Sequence, residues 1–494
     1  MKKERRQVTQ AAVIDVGSHA ARMDIFQRSA AGKTVLLESL SRDVDLGREV
    51  FRRGEAPPGE TALLCTVVAD YRRKLDEYGA IPAYAFATSA LREAANRELV
   101  ADRLRDSGGV ELEIFESSRE CYLMASAMRR AFPAAGIAPD ARVLGAHIGA
   151  GSLFLVYFER GVLCFGEEIP AGRDRLPPAE APCDCARAIA AAIAASGAVR
   201  RLQPIVGTLP VSLFVSGRGA RRFARETGAG EAAFDSAVRL PEGCAAEYRG
   251  SDADAACAYG AIGLLTGEFA CDGIFVPGFT TRSAFLTELP EFGGGTAGTG
   301  CFAADFAGVS RAAAGRFAID PDRAERTALI AAALWKKLRT RVTMPERSLP
   351  LLEGAARLRD IGNLLDCRER ERHSAHFIGN LQLPGIGDDE RRLIAATVLC
   401  SGAGDAIPAP VSAALPPEHR PTLFKLAALL RVSAALAESG AALEEPRLNI
   451  AGGEFLITPR SVAGGAERSL LARHAELFVR VFGLRPRFSE AEWS

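Results

Sequence analysis

The feature that most constrains the fold of this chain is a pattern that occurs twice. The stretch 11–26, AAVIDVGSHAARMDIF, is an apolar run that is interrupted by Asp15, turns at Gly17–Ser18 and continues as a second alternating run. This pattern predicts a β-hairpin. A second apolar run, 141–148, ends in another glycine turn, Gly149–Ser152, and a further hairpin pattern follows. Two halves that both open with strand, glycine turn and strand predict a duplicated α/β fold with a cleft between the halves.

The chain is long enough for several domains, and its composition changes along its length. At 494 residues it exceeds the usual size of a single core. The stretch FGGGTAGTG is typical of a flexible linker. We therefore predict the following division: a first lobe at 1–132, a second lobe at 133–290, a glycine-rich linker at 291–300, a helical domain at 301–412 and a small α+β domain at 413–494.

The sequence after the linker has a helical pattern for about a hundred residues. We expect helices at 303–317, 321–340, 349–360, 373–379 and 388–400. In the last domain we expect a helix at 423–437, and strands near 447–457 and 477–488. The fold class that these patterns predict is α/β, with a helical domain and a small α+β domain after the two lobes.

Charge and hydropathy argue against several classes of partner. Lys plus Arg and Asp plus Glu both number 61, so nothing in the balance favours nucleic acid or a membrane surface. The basic start MKKERR is followed too closely by Asp15 to leave the apolar core of a signal peptide. No run approaches the ~20 apolar residues of a membrane span. We therefore expect a cytoplasmic protein that contacts neither nucleic acid nor membrane.

The eleven cysteines favour buried thiols over disulfides or a zinc site. They are scattered, the nearest pair is Cys183 and Cys185, and no C-x-x-C occurs. An odd number without metal-ligand spacing is typical of a protein in a reducing compartment.

The glycine turns are candidate phosphate sites. At Asp15, Gly17 and Ser18, glycine would let the backbone approach an anion, successive N–H groups would donate to it, and the carboxylate could hold magnesium through a water shell. A second candidate phosphate turn consists of Gly149, Gly151 and Ser152, and a third is Gly217–Gly219. Each turn, taken alone, would equally suit an ordinary tight hairpin.

The stretch 87–97, ATSALREAANR, lies where a buried strand leads into a helix. Thr88 and Ser89 would present hydroxyls and N–H groups at the positive end of that helix. Arg92 follows one turn later, and a guanidinium near a helix N-terminus is favourable when an anion is also bound there. The alternative is simple N-capping with Arg92 in solvent.

Glu120 is a candidate general base. It lies early in a helix, near the expected opening of the cleft, and could deprotonate an attacking water. It could also merely complement the helix dipole. His373 and His376, with Asp360 upstream, could be interpreted as a metal site, but arginines and a cysteine stand where further ligands would be needed, so we favour capping and surface roles.

These stretches together resemble the exopolyphosphatase and guanosine pentaphosphate phosphohydrolase (Ppx/GppA) family. VIDVGSHAARMDIF is similar to that family's opening phosphate motif, and ATSALREAANR is similar to its most recognisable internal stretch. HSAHFI and LPGIGDDERRLIA resemble the helical HD-like domain of its long members. The resemblance covers nearly the whole chain. It implies two actin-like, ribonuclease H-like lobes with a cleft, an HD-like domain and a small C-terminal domain.

The resemblance also implies roles for individual residues. Asp15 would handle Mg²⁺, and Glu120, which lies in FESSRECY at the position of the family's ISG-x-EEAR motif, would activate water against a terminal phosphoanhydride. Phosphate oxygens would be held by Gly17, Ser18, Thr88, Ser89 and Arg92. Long members of the family tend to be dimers, so the resemblance also implies a homodimer.

The chain departs from the family pattern at several positions. The second motif, D-I-G-G-G-S-T-E, reads HIGAGSLF here, with His147 in place of the acid and Leu153 and Phe154 in place of Thr and Glu. His19 replaces an asparagine. A histidine in place of a metal carboxylate would weaken magnesium binding, because magnesium prefers hard oxygen ligands.

Three further motifs are also altered. The Gly-Thr of the adenosine-side motif is Gly219–Ala220, and the Arg-Glu-Gly signature is represented only by TTRSAFL. The His-Asp pair of the HD domain is Arg359–Asp360.

Three functions are compatible with these observations. The first is a Mg²⁺-assisted phosphohydrolase that releases terminal phosphate from polyphosphate or guanosine pentaphosphate. The second is a weakly active or inactive protein that binds polyphosphate, guanosine penta- or tetraphosphate, or ATP as a sensor. The third, a sugar- or acid-kinase-like enzyme, has the least support, because no stretch resembles a sugar pocket.

Overall fold

The structure is a computed structural model that describes residues 9–30, 32–79, 81–177, 180–244, 250–292, 298–317, 319–402, 407–438, 447–459 and 464–489. The chain divides into two compact units, residues 1–302 and residues 303–494. The first unit contains two α/β lobes, and the second contains packed helices with a small sheet.

The first lobe is built on a five-stranded sheet. Its strands are β1 (Thr9–Val16), β2 (Ala20–Arg28), β3 (Thr34–Asp43), β4 (Ala83–Ala87) and β5 (Leu112–Ile114). Its helices are α1 (Leu46–Arg53), α2 (Pro58–Asp76), α3 (Ser89–Glu93), α4 (Arg97–Gly108) and α5 (Ser117–Ala131). The strand order is β3-β2-β1-β4-β5, in which β1, β2 and β3 are antiparallel neighbours and β4 and β5 run parallel to β1.

The second lobe repeats this plan. Its strands are β6 (Arg142–Ile148), β7 (Leu153–Glu159), β8 (Val162–Ile169), β9 (Val211–Ser216), β10 (Ala237–Arg239) and β11 (Cys271–Pro277). Its helices are α6 (Pro182–Ala195), α7 (Ala198–Val206), α8 (Arg218–Glu226) and α9 (Ala253–Glu268), and α10 (Thr281–Leu286) follows β11. The order β8-β7-β6-β9-β11-β10 again has three antiparallel strands followed by parallel ones, with β10 added antiparallel at the edge.

The duplicated α/β arrangement predicted from the sequence is confirmed. The apolar runs of β1 and β6 become central strands, because each is flanked by its own hairpin partner on one side and by a parallel strand on the other. Each sheet has its own core of buried aliphatic and aromatic side chains. Four helices of the two lobes, α1, α7, α8 and α10, were not predicted, because all four have nine residues or fewer and are too short for a sustained helical repeat to be recognised.

The segment 279–292 leaves the second sheet and packs against the first lobe. Arg282 of α10 forms ion pairs with Asp15 (Nη1 to Oδ2, 3.2 Å) and Asp24 (Nε to Oδ2, 2.6 Å). Phe285 packs on the rings of Phe86 and Phe115, with centroids 5.3 and 5.8 Å away. This part of the predicted second lobe therefore helps to complete the first, a contact between distant stretches that local pattern does not reveal.

The second unit contains mainly helices. They are α11 (Gly298–Gly315), α12 (Pro321–Leu338), α13 (Ser348–Leu358), α14 (Arg370–Asn380), α15 (Asp388–Leu399), α16 (Ala409–Ala413), α17 (Arg420–Glu438), α18 (Gly465–His474) and α19 (Glu476–Phe482). A three-stranded sheet is formed by β12 (Arg447–Ala451), β13 (Glu454–Thr458) and β14 (Arg485–Phe488). Helix α17 packs against α12, α13 and α15, and also against α18 and α19. It therefore joins the helical part to the part with the sheet.

Two local predictions need correction, and one lies partly outside the described residues. The predicted strand at 477–488 is largely wrong, because its first half is α19 and only Arg485–Phe488 is strand. The predicted linker ends too late, since α11 already begins at Gly298. Residues 293–297 of that linker lie outside the described part of the chain.

Asp360 is surrounded by arginines. It forms ion pairs with Arg323 (2.6 Å), Arg359 (3.2 Å) and Arg370 (3.3 Å), and Arg359 also pairs with Glu438. Because three guanidiniums neutralise this carboxylate, it is a poor ligand for a cation. His376 is exposed on α14.

Across the described residues, every helix taken singly is too short or too polar to cross a bilayer. The bent pair α6–α7 meets the criteria of length and composition alone.

We predict that Arg282→Ala destabilises the first unit by about 3–5 kcal/mol, because it leaves Asp15 and Asp24 buried without their cation. Thermal unfolding followed by circular dichroism measures the effect. Burial raises the pKa of Asp15, so the cost should shrink as pH falls and this carboxylate is protonated. Arg225→Ala, at an exposed arginine of α8, is the control. A loss below about 1 kcal/mol, as is usual for surface ion pairs, would contradict the prediction.

Candidate functional site

A cleft opens where the turns of the two sheets face each other. It is lined by the ends of β1, β4 and β6, by the starts of α5 and α8, and by the segments 173–174 and 279–282. Nine of the ten site residues predicted from the sequence line it: Asp15, Gly17, Ser18, Thr88, Ser89, Glu120, Gly149, Gly151 and Ser152. Their proposed contacts with phosphate remain predictions.

The two glycine turns have the same local structure. The N–H of Gly17 donates to the carbonyl of Ala20 at 3.1 Å, and the N–H of Gly149 donates to the carbonyl of Ser152 at 2.9 Å. The strand register then makes His147 the counterpart of Asp15, because Asp15 lies opposite Arg22 in the first hairpin and His147 lies opposite Phe154 in the second. The second lobe therefore has an imidazole and a phenyl ring at the positions where the first lobe has a carboxylate and a guanidinium.

Ser18, Ser89 and Gly151 meet at the closest approach of the lobes. The two serine Oγ atoms are 3.1 Å apart, although the residues are 71 positions apart in the chain. A Cβ at Gly151 would collide with both hydroxyls and with the ring of Phe51, so only glycine fits there. Hydroxyls of the first lobe thus face the backbone of the second turn, and together they supply donors that suit phosphate oxygens.

Glu120 is buried at the base of the cleft and paired with an arginine. Its side chain is 7% exposed, and Oε2 accepts a 2.8 Å hydrogen bond from Nη1 of Arg92. Burial raises the pKa of Glu120 to about 7, and the charge of Arg92 opposes this rise. A carboxyl group with this pKa is partly ionised near neutral pH, which is what a general base requires.

Arg92 is the predicted site residue that does not line the cleft. Its guanidinium lies behind Glu120, where it also pairs with Glu168 and donates to the carbonyl of Phe115 at 3.1 Å. The prediction that Arg92 grips phosphate directly is therefore not supported, because two carboxylates already engage it. Its contacts fit the orientation of Glu120, and they tie the first lobe to Glu168 of the second.

The predicted magnesium ligand, Asp15, does not lie in a site that suits magnesium. Oδ2 is 3.2 Å from Nη1 of Arg282, and the charge of Arg22 also acts on this carboxylate. Within the described ranges, no group of three or more His, Cys, Asp or Glu side chains has the arrangement of a metal site. Magnesium usually needs only one or two carboxylates besides phosphate, so the obstacle is the adjacent guanidinium rather than the ligand count.

His147 is a neutral structural side chain. Its Nδ1 is 2.9 Å from Oγ of Ser216, and its ring stacks near those of Phe154 and Phe279, with centroids 6.4 and 6.3 Å away. Burial lowers the pKa of His147 to about 4, and the charge of Arg221 acts in the same direction. It therefore brings no charge to the position where the family pattern has an acid.

Sequence reasoning missed most of the charged groups in the cleft. Five arginines line it that were not assigned to the site: Arg22, Arg173, Arg218, Arg221 and Arg282. The stretch GRGARR contains the glycine turn Gly217–Gly219, and its arginines are the sequence signal that could have indicated Arg218 and Arg221. Asp174 also lines the cleft, and its Oδ1 lies 4.0 Å from Nδ1 of His19. Its buried Oδ2 accepts no hydrogen bond from the part of the chain that the structure describes. No local pattern around Asp174 indicated this position.

Comparisons with solved structures yield proteins of related description. One is an exopolyphosphatase from Cytophaga hutchinsonii, 16% identical, with a TM-score of 0.49, covering 57% of this chain and 97% of that one. Another is the Ppx/GppA family member from Aquifex aeolicus, 18% identical, with a TM-score of 0.44 and coverage of 57% and 97%.

Sequence comparisons identify the family. Among curated proteins, exopolyphosphatase 1 of Mycobacterium tuberculosis and that of Mycobacterium bovis are 30% identical over 142 residues, which is 28% of this chain. The match spans 40% of the length of these relatives. The Ppx/GppA phosphatase family model matches residues 25–166, and the model of Ppx/GppA phosphatase domain III matches residues 309–450. These two ranges cover more than half of the chain and fall in both of its units, so the protein belongs to the Ppx/GppA phosphatase family.

Proposed function

We propose that the protein releases the terminal phosphate of a linear phosphoanhydride, either inorganic polyphosphate or guanosine pentaphosphate. The observation that carries the proposal is Glu120, a buried carboxylate with a pKa of about 7 that lines the cleft beside Ser18 and Ser89. The names of the curated relatives, exopolyphosphatases, support the first substrate class.

In this reaction, Glu120 accepts a proton from a water molecule as the water oxygen attacks the terminal phosphorus. The new P–O bond forms while the bridging P–O bond breaks, and the shortened chain leaves with the bridging oxygen and its electron pair. Oε2 of Glu120 is held by Arg92, and Oε1 has no hydrogen-bond partner in the described part of the chain. Oε1 is therefore the oxygen that can take the proton.

The turn residues hold the phosphate chain. Ser18 and Ser89 offer hydroxyls, and the turn at Gly149–Ser152 offers backbone N–H groups from the opposite lobe. Phosphoryl transfer depends mainly on such positioning and on stabilising charge, because little covalent chemistry is left for the protein.

A second function, binding without turnover, is favoured by His147. A neutral, hydrogen-bonded imidazole replaces an acid of the family pattern, and Asp15 is already paired with Arg282. A protein altered in this way could bind the same phosphate chains as a sensor. Phosphate release from long-chain polyphosphate and from guanosine pentaphosphate separates the two functions.

We predict that Glu120→Gln lowers kcat by about 10²–10⁴-fold, the usual contribution of a general base. In the wild type, kcat/KM should rise with pH through a midpoint near 7, because the base must be ionised and burial raises its pKa to about 7. Phosphate release between pH 5.5 and 8.5 measures both effects. Glu98→Gln, at an exposed glutamate of α4, is the matched control. If the wild type binds polyphosphate but releases no phosphate at any pH, binding alone is its function.

We predict that Arg92→Ala moves the rising part of the pH profile to higher pH. The guanidinium lowers the pKa of Glu120, while the charge of Glu168 raises it, so removing Arg92 leaves only influences that raise this pKa. Arg92→Lys should shift the profile less, because it keeps the charge. Arg103→Ala, at an exposed arginine of α4, is the control. A raised KM with an unmoved profile would instead show that Arg92 binds phosphate directly.

A further inference from the structure

We propose that arginine side chains supply the positive charge in this cleft, so that it binds a phosphate chain without a divalent metal ion. The groups that would meet phosphate are the guanidiniums of Arg22 and Arg221, while Arg282 neutralises Asp15 and Asp24. This inference rests on the proposed function only in that the cleft accepts phosphate; it does not require turnover.

The first observation is that a guanidinium already engages two acidic groups of the first hairpin, Asp15 in β1 and Asp24 in β2. Arg282 bridges Asp15 and Asp24, at 3.2 and 2.6 Å, and its side chain is 9% exposed. Asp24 is also held by Ser39, whose hydroxyl donates to Oδ1 at 2.6 Å. A cation that bound Asp15 would have to approach a fixed positive group, which its own charge opposes.

The second observation is that two more arginines line the cleft without an acidic partner. No carboxylate of the described residues lies within 4 Å of the guanidinium of Arg22 or Arg221. The guanidinium of Arg221 donates to the carbonyl of Phe279, at 3.2 Å.

These arginines also repel one another. Burial lowers the pKa of both Arg22 and Arg221. The charge of Asp15 opposes this at Arg22, and the charge of Arg282 lowers the pKa of both arginines. Positive groups gathered in a partly buried cleft are stabilised by an anion between them.

The third observation concerns charge at the second turn. His147 is buried there and its Nδ1 lies 2.9 Å from Oγ of Ser216, so this position supplies no carboxylate to a cation. The charge of Arg221 acts on the imidazole. The position of His147 therefore offers no acid, and the nearby charge is the positive charge of a guanidinium.

Arginine suits this role chemically. Its planar guanidinium stays charged at any pH of interest and can bind two phosphate oxygens at once. Five arginines and four carboxylates line the cleft. Of those acids, Asp15 and Asp254 pair with arginines of the cleft, and Glu120 pairs with Arg92 behind it. A phosphate chain would pair with the guanidiniums of Arg22 and Arg221 and would need no added metal ion to do so.

Isothermal titration of the full-length protein with inorganic tripolyphosphate tests the inference. In EDTA, the wild type should bind, and Kd should be equal to or lower than that in excess Mg²⁺, because Mg²⁺ masks the charge of the ligand. Arg221→Ala should raise Kd by at least about tenfold, in keeping with the loss of one charge-assisted contact. The matched control Arg225→Ala, on the same helix but exposed, should leave Kd unchanged. Arg221→Lys keeps the positive charge but loses the two-pronged guanidinium, so it should give an intermediate Kd. This variant also keeps the test valid if the alanine variant folds poorly.

Three outcomes would overturn the inference: binding only when Mg²⁺ is present, no binding in either condition, or equal weakening by Arg221→Ala and Arg225→Ala. These outcomes differ from a failure of the proposed function. Binding and phosphate release that both require Mg²⁺ would leave the proposed function intact and reject the inference. Tight binding in EDTA without phosphate release would support the inference and reject the proposed function.

His147→Asp provides an independent test. If arginine has taken the place of the metal, the new carboxylate will pair with Arg221 and weaken tripolyphosphate binding in EDTA and in Mg²⁺ alike. A gain in affinity or in phosphate release that appears only with Mg²⁺ would show that the site still works as a magnesium site and would overturn the inference.

Discussion

The structure of the first unit depends on one buried ion-pair group, in which Arg282 joins Asp15 and Asp24. Two acids on adjacent strands of one lobe would be unstable in a buried position without a cation. The cation comes from a segment that has crossed over from the other lobe, and Phe285 fixes that segment on an aromatic surface. The same contact therefore stabilises the fold and decides the charge of the cleft.

A second buried group determines the chemistry available. Glu120, Arg92 and Glu168 form a carboxylate–guanidinium–carboxylate group in which the outer members belong to different lobes. Because two acids share one cation and all three are largely buried, the proton affinity of Glu120 stays high enough for a base at neutral pH. This geometry is the basis of the role proposed for Glu120 in the release of phosphate.

The sequence predicted the features that depend on local pattern. Both hairpins, both glycine turns and the strand-to-helix junction at Thr88 and Ser89 were found, because each combines apolar periodicity with a turn signal. The contacts that decide charge could not be predicted, since Arg282 and Asp15 are 267 residues apart and Arg92 and Glu168 are 76 apart. An arginine such as Arg92 is a chemically suitable phosphate ligand, and the local sequence gives no sign that Glu120 and Glu168 pair with it in the fold.

The ion pair between Arg92 and Glu168 links protonation to the relative position of the lobes. Any separation of the lobes must break this ion pair. Arg92 would then pair with Glu120 alone, and the negative charge of Glu168 would move away from Glu120. Both changes favour the ionised form of Glu120, so separation releases a proton. By the same linkage, acidic conditions hold the lobes together, and the proton itself acts as a ligand of the closed form.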